Sequence, residues 1–359
     1  MNICFVTGGT GGHIYPALAL ADKIRHLYPN IEILFIGNDD RMEADLIPSR
    51  GYDFKPLHTS GLVGSPFSKL RAIGQLFFAY HQSKIYLEEF KPDIVIGFGG
   101  YVSAPVILAG RSVHAKTMIH EQNSIVGKAN RLVMRKVDRI ITCYKKCEEV
   151  FPVEKTVLLG NPRATIAKEA AFDEAYFKSL GLSLDKKTIL VMMGSLGSSS
   201  VNALMKDSLK DMPKDLQFLY VCGKDNSNDL NLFDSQENVY VVPYVDTLKV
   251  YAHIDGMICR AGATTIAELT GLGIPSILIP SPYVANNHQY YNAKVLVDQQ
   301  AAFMIEEKDL NATNLKTAIK ELFMNEEKMK EVHQNALKLG KPAAVYDIID
   351  EMAELVDDE

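Results

Sequence analysis

Apolar and polar positions come in blocks along the first 160 or so residues. Short runs rich in β-branched and aromatic residues, at 2–7, 31–37, 53–58, 93–96, 117–120 and 138–142, are separated by stretches with helical spacing. Runs without internal polar positions suit strands buried on both faces of a parallel sheet. The stretch 41–49 reads as a short helix and 69–90 as a long one, stopped by Lys91-Pro92. Another helix starts just after the glycines that follow the first strand, with Pro16 at its first turn. The alternation predicts an α/β, doubly wound sheet.

The rhythm pauses at Leu159-Gly160-Asn161-Pro162-Arg163, which makes 160–186 a candidate hinge. It restarts at 188–193, with further strands expected at 217–221, 239–242, 256–259 and 276–280. A charged helical tail follows from 311, broken at Pro342, with a last helix at about 343–356. The expectation is two Rossmann-like domains, 1–162 and 163–342, plus the terminal segment 343–359. Their glycine-rich βα loops should line a cleft, since ligands sit beyond the C-terminal ends of parallel strands.

Composition changes this picture little. A chain of 359 residues with 47% hydrophobic and 23% charged residues has ample material for two cores. The net charge of -6 gives no reason to expect nucleic acid. Five scattered cysteines argue against a disulfide framework. A strand at the start, with no basic lead and no long apolar run, predicts neither a secretory leader nor a membrane span.

Candidate chemistry gathers at the ends of strands. Gly8-Gly9-Thr10-Gly11-Gly12-His13 follows the first strand and precedes a helix, as a phosphate or sugar-diphosphate cradle would. It lacks the Lys-Ser or Lys-Thr of a nucleotide-triphosphate loop and misses the dinucleotide fingerprint at Ile14. His13 reads equally as a packed helix-start residue or as a general base. In Arg260-Ala261-Gly262-Ala263-Thr264-Thr265-Ile266-Ala267-Glu268, a small-residue turn opens a helix. Glu268 is either an acid favoured near a helix start or a carboxylate accepting ribose hydroxyls. Neither an Asp-x-Asp loop nor a His/Glu cluster is found, so neither metal nor cofactor is expected. Leu70, Ile73, Phe77 and Tyr80 share a helix face near several bases. Core packing is the usual reading of such a stripe, and peripheral contact with anionic lipid is the other.

Taken together and in order, several motifs resemble the MurG family of bacterial glycosyltransferases. They are Gly8 to His13, Gly97-Phe98-Gly99-Gly100-Tyr101-Val102-Ser103, His120-Glu121-Gln122-Asn123, Gly160-Asn161-Pro162-Arg163, and Arg260 to Glu268. The resemblance spans essentially the whole chain. It implies a GT-B fold and an inverting transfer of GlcNAc from UDP-GlcNAc to the C4 hydroxyl of MurNAc in lipid I, giving lipid II and UDP. It also implies a last helix crossing back to the first domain. On this resemblance Thr10, Gly11, Gly12 and Asn123 border the GlcNAc. Arg163, Ser195 and Gln289 reach the nucleotide sugar, and Val245 offers its backbone to uracil. Ala263, Thr264, Thr265, Ile266 and Ala267 present a helix N-terminus to the diphosphate, and Glu268 takes the ribose hydroxyls. Gly11, Gly12, Gly99 and Gly100 receive the acceptor diphosphate. His13 is the first choice of base and Glu121 the second. Leu70, Ile73, Phe77, Tyr80 and Arg135 contact the membrane, which raises that reading above core packing. Expected partners are UDP-GlcNAc, lipid I, anionic lipid at the cytoplasmic face, and wall-synthesis and division proteins. A diacylglycerol glycosyltransferase and a UDP-GlcNAc epimerase are the rival enzymes, and an idle scaffold is the non-enzymatic rival.

Overall fold

A computed structural model describes residues 1–61, 65–194, 199–223, 226, 233 and 236–357. The chain forms two compact units, Met1–Arg163 with Ala343–Glu359, and Ala164–Pro342.

The first unit runs β1 (Asn2–Val6), α1 (Gly11–Leu27), β2 (Glu32–Asn38), α2 (Met42–Ser49), β3 (Asp53–Leu57), α3 (Pro66–Phe90), β4 (Ile94–Gly97), α4 (Ser103–Ser112), β5 (Lys116–Glu121), α5 (Lys128–Val133), β6 (Arg139–Thr142) and β7 (Thr156–Leu158). Its strands are parallel, in the order β3-β2-β1-β4-β5-β6-β7. The direction of winding reverses between β1 and β4, where loops part and leave a crevice. Val6 is in register with Gly97, so the two glycine loops leave the sheet side by side.

The second unit begins within α6 (Pro162–Glu169) and continues α7 (Glu174–Ser179), β8 (Lys187–Met192), α8 (Ser199–Ser208), β9 (Leu216–Val221), β10 (Val239–Val242), α9 (Thr247–Val250), β11 (Gly256–Cys259), α10 (Ala263–Leu272), β12 (Ser276–Leu278), α11 (His288–Asp298), β13 (Phe303–Met304), α12 (Ala312–Phe323) and α13 (Glu326–Leu339). Its parallel sheet has the order β10-β9-β8-β11-β12-β13. The reversal here lies between β8 and β11, and Cys259 is in register with Met192.

The last helix, α14 (Ala344–Asp357), belongs to the first unit. Val345, Ile348, Met352 and Leu355 join Ile3, Phe5, Phe35 and Phe98 in its core. Their three- and four-residue spacing forms the apolar stripe that buries such a helix. Arg139 Nε meets Glu351 Oε1 at 2.6 Å and fixes the helix against β6.

The start of α1 and the inventory of strands need correction. Helix α1 starts at Gly11, so Pro16 lies inside it and His13 occupies the first turn. The carbonyl of Gly12 thereby loses the donor that a non-proline residue at 16 would supply. The stretch 160–186 holds two helices, α6 and α7, and the boundary between the units falls near its start. The edge strands β7 and β13 are missing from the sequence reading, because three and two residues are too few to show a period. Among the described residues, no helix is long and apolar enough to cross a membrane.

Candidate active site

The first unit brings two glycine loops into backbone contact. A Cβ on Gly100 would lie 2.6 Å from Gly8 O, and one on Gly99 would lie 2.9 Å from His13 Cδ2 and Nε2. Both glycines also have positive φ, 107° at Gly99 and 83° at Gly100. The loops therefore need these glycines to meet each other and the imidazole, apart from any ligand. The Gly99 N–H donates to Ser103 Oγ at 3.1 Å, which fixes the second loop on α4. Thr10 is the N-cap of α1, and Gly11 and Gly12 are its first residues. First-turn N–H groups have no intrahelical acceptor, so the end of α1 offers donors to an anion.

His13 Nδ1 is 2.9 Å from Gly8 O. A carbonyl only accepts, so Nδ1 carries the proton and Nε2 is bare in the neutral ring. Burial holds the imidazole below its ordinary pKa, against the opposing pull of Gly8 O and Glu43. A neutral ring with one free lone pair is the form a general base requires.

Beneath the loops, His120 is buried and stacks on Phe98 with ring centroids 5.0 Å apart. Its Nε2 donates to Gly160 O at 2.9 Å, and its Nδ1 accepts from Gln122 Nε2 at 3.1 Å. Burial pushes its pKa down to about 4. The same Gln122 amide donates to Phe98 O at 2.8 Å, tying β5 to the second glycine loop.

Glu121 is 2% exposed, and both its oxygens are engaged. Oε1 accepts from Asn123 N at 3.1 Å, and Oε2 accepts from Gly127 N and Asn130 Nδ2, each at 2.9 Å. Burial raises its pKa against these bonds. A carboxylate so occupied organises the 122–130 loop, and with it Asn123. As the alternative base it has no free, accessible oxygen in this conformation.

In the second unit, α10 starts at Ala263 behind an extended Gly262. The hydroxyl of Thr264 is buried and has no partner among the described residues. A buried orphan hydroxyl costs free energy unless something supplies a partner. Glu268, one turn further on, is buried and accepts from Tyr251 OH at 2.7 Å through Oε2. Gln289 Oε1 accepts from Ser281 N at 2.9 Å. Val245 has a buried side chain, so its backbone is what a ligand would meet. Thr265 and Ala267 are half-buried and Ile266 is buried. Arg163 is the second residue of α6, its N–H bonded to Asn161 Oδ1 at 3.0 Å. Ser195 lies outside the described residues.

The apolar stripe on α3 is not core. Leu70 is 66% and Phe77 62% exposed, with Ile73, Phe67 and Phe78 also exposed and Tyr80 half-buried. Ala72, Ala79 and Leu87 fill the buried face instead. Leu132, Arg135, Lys128, Arg131 and Lys136 are exposed in and just beyond α5. Sequence reasoning missed Glu43, which is fully buried and bonded to the first glycine loop. It looks like an ordinary first-turn acid on α2. The available signal was its place just past the C-terminal end of β2, next to β1.

Two family descriptions match the chain: Glycosyltransferase family 28 N-terminal domain over residues 3–142, and Glycosyltransferase family 28 C-terminal domain over residues 188–352. Curated relatives include a UDP-N-acetylglucosamine--N-acetylmuramyl-(pentapeptide) pyrophosphoryl-undecaprenol N-acetylglucosamine transferase of Bacillus cytotoxicus. It is 38% identical, over 99% of this chain and 100% of its own length. The Bacillus subtilis protein of the same description is 37% identical over 98% and 99%. Among solved structures, MurG of Acinetobacter baumannii superposes with a TM-score of 0.81 at 26% identity, covering 98% of this chain and 99% of that one. With identity of this order over nearly the full length of both chains, the chain belongs to the MurG family of glycosyltransferase family 28, with the GT-B fold.

Proposed function

We propose that this chain transfers GlcNAc from UDP-GlcNAc to the C4 hydroxyl of MurNAc in lipid I, with inversion, giving lipid II and UDP for peptidoglycan synthesis. The observation that carries this reading is the full-length identity of about two residues in five with enzymes named for that reaction. The site chemistry agrees with it. Inversion needs one in-line displacement: the acceptor oxygen attacks C1, and the bond from C1 to the diphosphate oxygen breaks. His13 Nε2 takes the hydroxyl proton. Charge growing on the leaving diphosphate meets the N-terminal N–H groups of α10 and the Thr264 hydroxyl. Glu268 receives the ribose hydroxyls, and the Gln289 amide and Asn123 orient the GlcNAc, with Thr10, Gly11 and Gly12 at its border. Arg163 and Ser195 complete the donor contacts, and the Val245 backbone reads uracil. The acceptor diphosphate lies at Gly11, Gly12, Gly99 and Gly100. In this reading the first unit serves the acceptor and the second the donor.

The lipid acceptor also gives the exposed α3 face a purpose. Leu70, Ile73, Phe77 and Tyr80, with Arg135 and the neighbouring bases, form an apolar patch beside positive charge, suited to an anionic membrane surface. Peripheral attachment at the cytoplasmic face follows, with a place in wall synthesis, cell shape and division beside partner proteins of those processes. Transfer of labelled GlcNAc tests the activity, using a lipid I analogue, diacylglycerol, or no acceptor. UDP release confined to the lipid I analogue is the expected result. Transfer to diacylglycerol, or UDP release without acceptor, sinks the reading. Co-sedimentation with anionic vesicles, lost in Phe77→Glu while turnover on a soluble analogue persists, tests the membrane face.

A further inference from the structure

Glu43 is a fully buried acid that the reaction as described does not use. Its carboxylate receives three N–H donors. Gly9 N is 3.2 Å from both oxygens, and Asn38 N and Asn38 Nδ2 are each 3.1 Å from Oε1. The Asn38 amide cannot turn over, because its Oδ1 accepts from Thr59 Oγ1 at 2.5 Å. Contact with the loop is close: a Cβ on Gly8 would stand 2.6 Å from Glu43 Oε1. A helix-start acid would bond N–H groups of its own first turn, whereas Glu43 bonds Asn38 at the end of β2 and Gly9 beyond β1. The reach across to Gly9 needs another reason.

That reason lies in one peptide unit. The Gly8–Gly9 peptide gives its N–H to Glu43 and accepts His13 Nδ1 at its carbonyl, 2.9 Å away. Hydrogen bonds in series polarise one another, so a carboxylate on the N–H makes the carbonyl a stronger acceptor. From this geometry we infer that Glu43 is a positioning residue for His13, acting through the Gly8–Gly9 peptide to hold the imidazole in its Nδ1–H form and to strengthen Nε2 as a base. Elsewhere a carboxylate orients a catalytic imidazole directly. Here a peptide is inserted between them, and the missing Cβ at Gly8 is what lets the carboxylate approach. The inference rests on the reading of His13 as the base.

Two titratable groups act on the His13 ring, Glu43 on α2 and His120 on β5. His120 stays neutral through the working range because burial holds it down to about 4. An acidic limb in the rate profile therefore reports His13, which the Gly8 carbonyl and, at longer range, Glu43 both raise against its burial.

The test compares the full-length wild type, Glu43→Gln, His13→Ala and the double variant, with UDP-GlcNAc and a lipid I analogue from about pH 5 to about pH 9. Glu43→Gln keeps the shape and removes the charge. Its kcat should fall about tenfold with KM for UDP-GlcNAc within about twofold, and the acidic limb of kcat/KM should move down by about half a unit or more. On the His13→Ala background Glu43→Gln should change kcat no further. In ¹⁵N-histidine spectra, His13 should be Nδ1-protonated in the wild type and a tautomer mixture in Glu43→Gln. An unmoved limb, or an undiminished Glu43→Gln effect in the His13→Ala background, overturns the inference. Near-normal turnover in His13→Ala sinks the base assignment alone; the tautomer spectra, which need no turnover, then decide the clamp. Should Glu43→Gln not fold, Glu43→Asp, which keeps the charge but shortens the reach, is read for the same tautomer release.

Discussion

The two glycine-loop sites treat their polar groups in opposite ways. In the first unit His13, Glu43, His120 and Glu121 all bond to neighbours within the chain, leaving His13 Nε2 as a bare lone pair. In the second, the Thr264 hydroxyl is buried and unpartnered among the described residues, at the start of α10. Closed networks fix a reacting group before any ligand arrives, which is what a base needs, since misplacement costs rate. An open site is completed by its ligand, which is what binding needs, since the ligand relieves a desolvation penalty the protein otherwise carries. On the proposed reading, one unit is prepared for chemistry and the other for affinity.

Substitutions can break this contrast, and the largest effect should come from the reacting group. His13→Ala should lower kcat about 10²–10⁴-fold with little change in donor KM, measured by labelled GlcNAc transfer. Turnover close to wild type would move the proton transfer elsewhere. Glu268→Gln should act on the other axis. It keeps the bond partner for Tyr251 and removes the charge, so KM for UDP-GlcNAc should rise about 10–100-fold while kcat falls less. A kcat loss with unchanged KM would place Glu268 in the chemistry and erase the contrast.

Acid should loosen the closed network first. His120 has a folded pKa of about 4 against an ordinary 6.5, so the unfolded chain binds its proton more readily. The stability this neutral histidine contributes is present above about pH 6.5 and is lost as pH falls toward 4, up to about 3 kcal/mol. Glu121, raised by burial, shifts the balance the other way. The difference in denaturant midpoint between wild type and His120→Gln across that window isolates the histidine. A constant difference would count against the assignment. The smallest effect belongs to Thr264→Val, which should raise donor KM about 3–10-fold without lowering the thermal midpoint of the free protein, because the lost hydroxyl has no partner among the described residues. A lower midpoint would mean that the hydroxyl serves the fold and that the second site is closed as well.

Much of the fold was legible because buried parallel strands are short apolar runs, and β10 and β11 end where the pattern does. The edge strands β7 and β13 were not, since pairing with a neighbour, not their own composition, makes them strands. The start of α1 was misplaced for a related reason. Glycine is a poor helix former, yet Gly11 and Gly12 are held helical by Thr10 O, which accepts from His13 N at 3.0 Å and Ile14 N at 3.2 Å. The α3 stripe shows the limit of amphipathicity: periodicity identifies an apolar face but not what covers it.

By itself the sequence determined the two doubly wound halves, the position of each glycine loop at a strand end, and the residue types able to carry the chemistry. These depend on local pattern and chain order. Only the tertiary structure decided why Gly99 and Gly100 are glycines, which nitrogen of His13 is free, that both oxygens of Glu121 are engaged, and that Glu43 belongs to the first loop at all. Each of those depends on atoms brought within about 3 Å from distant parts of the chain, where hydrogen-bond geometry becomes decisive. Thirty-four residues separate Gly9 from Glu43, and no periodicity spans that gap.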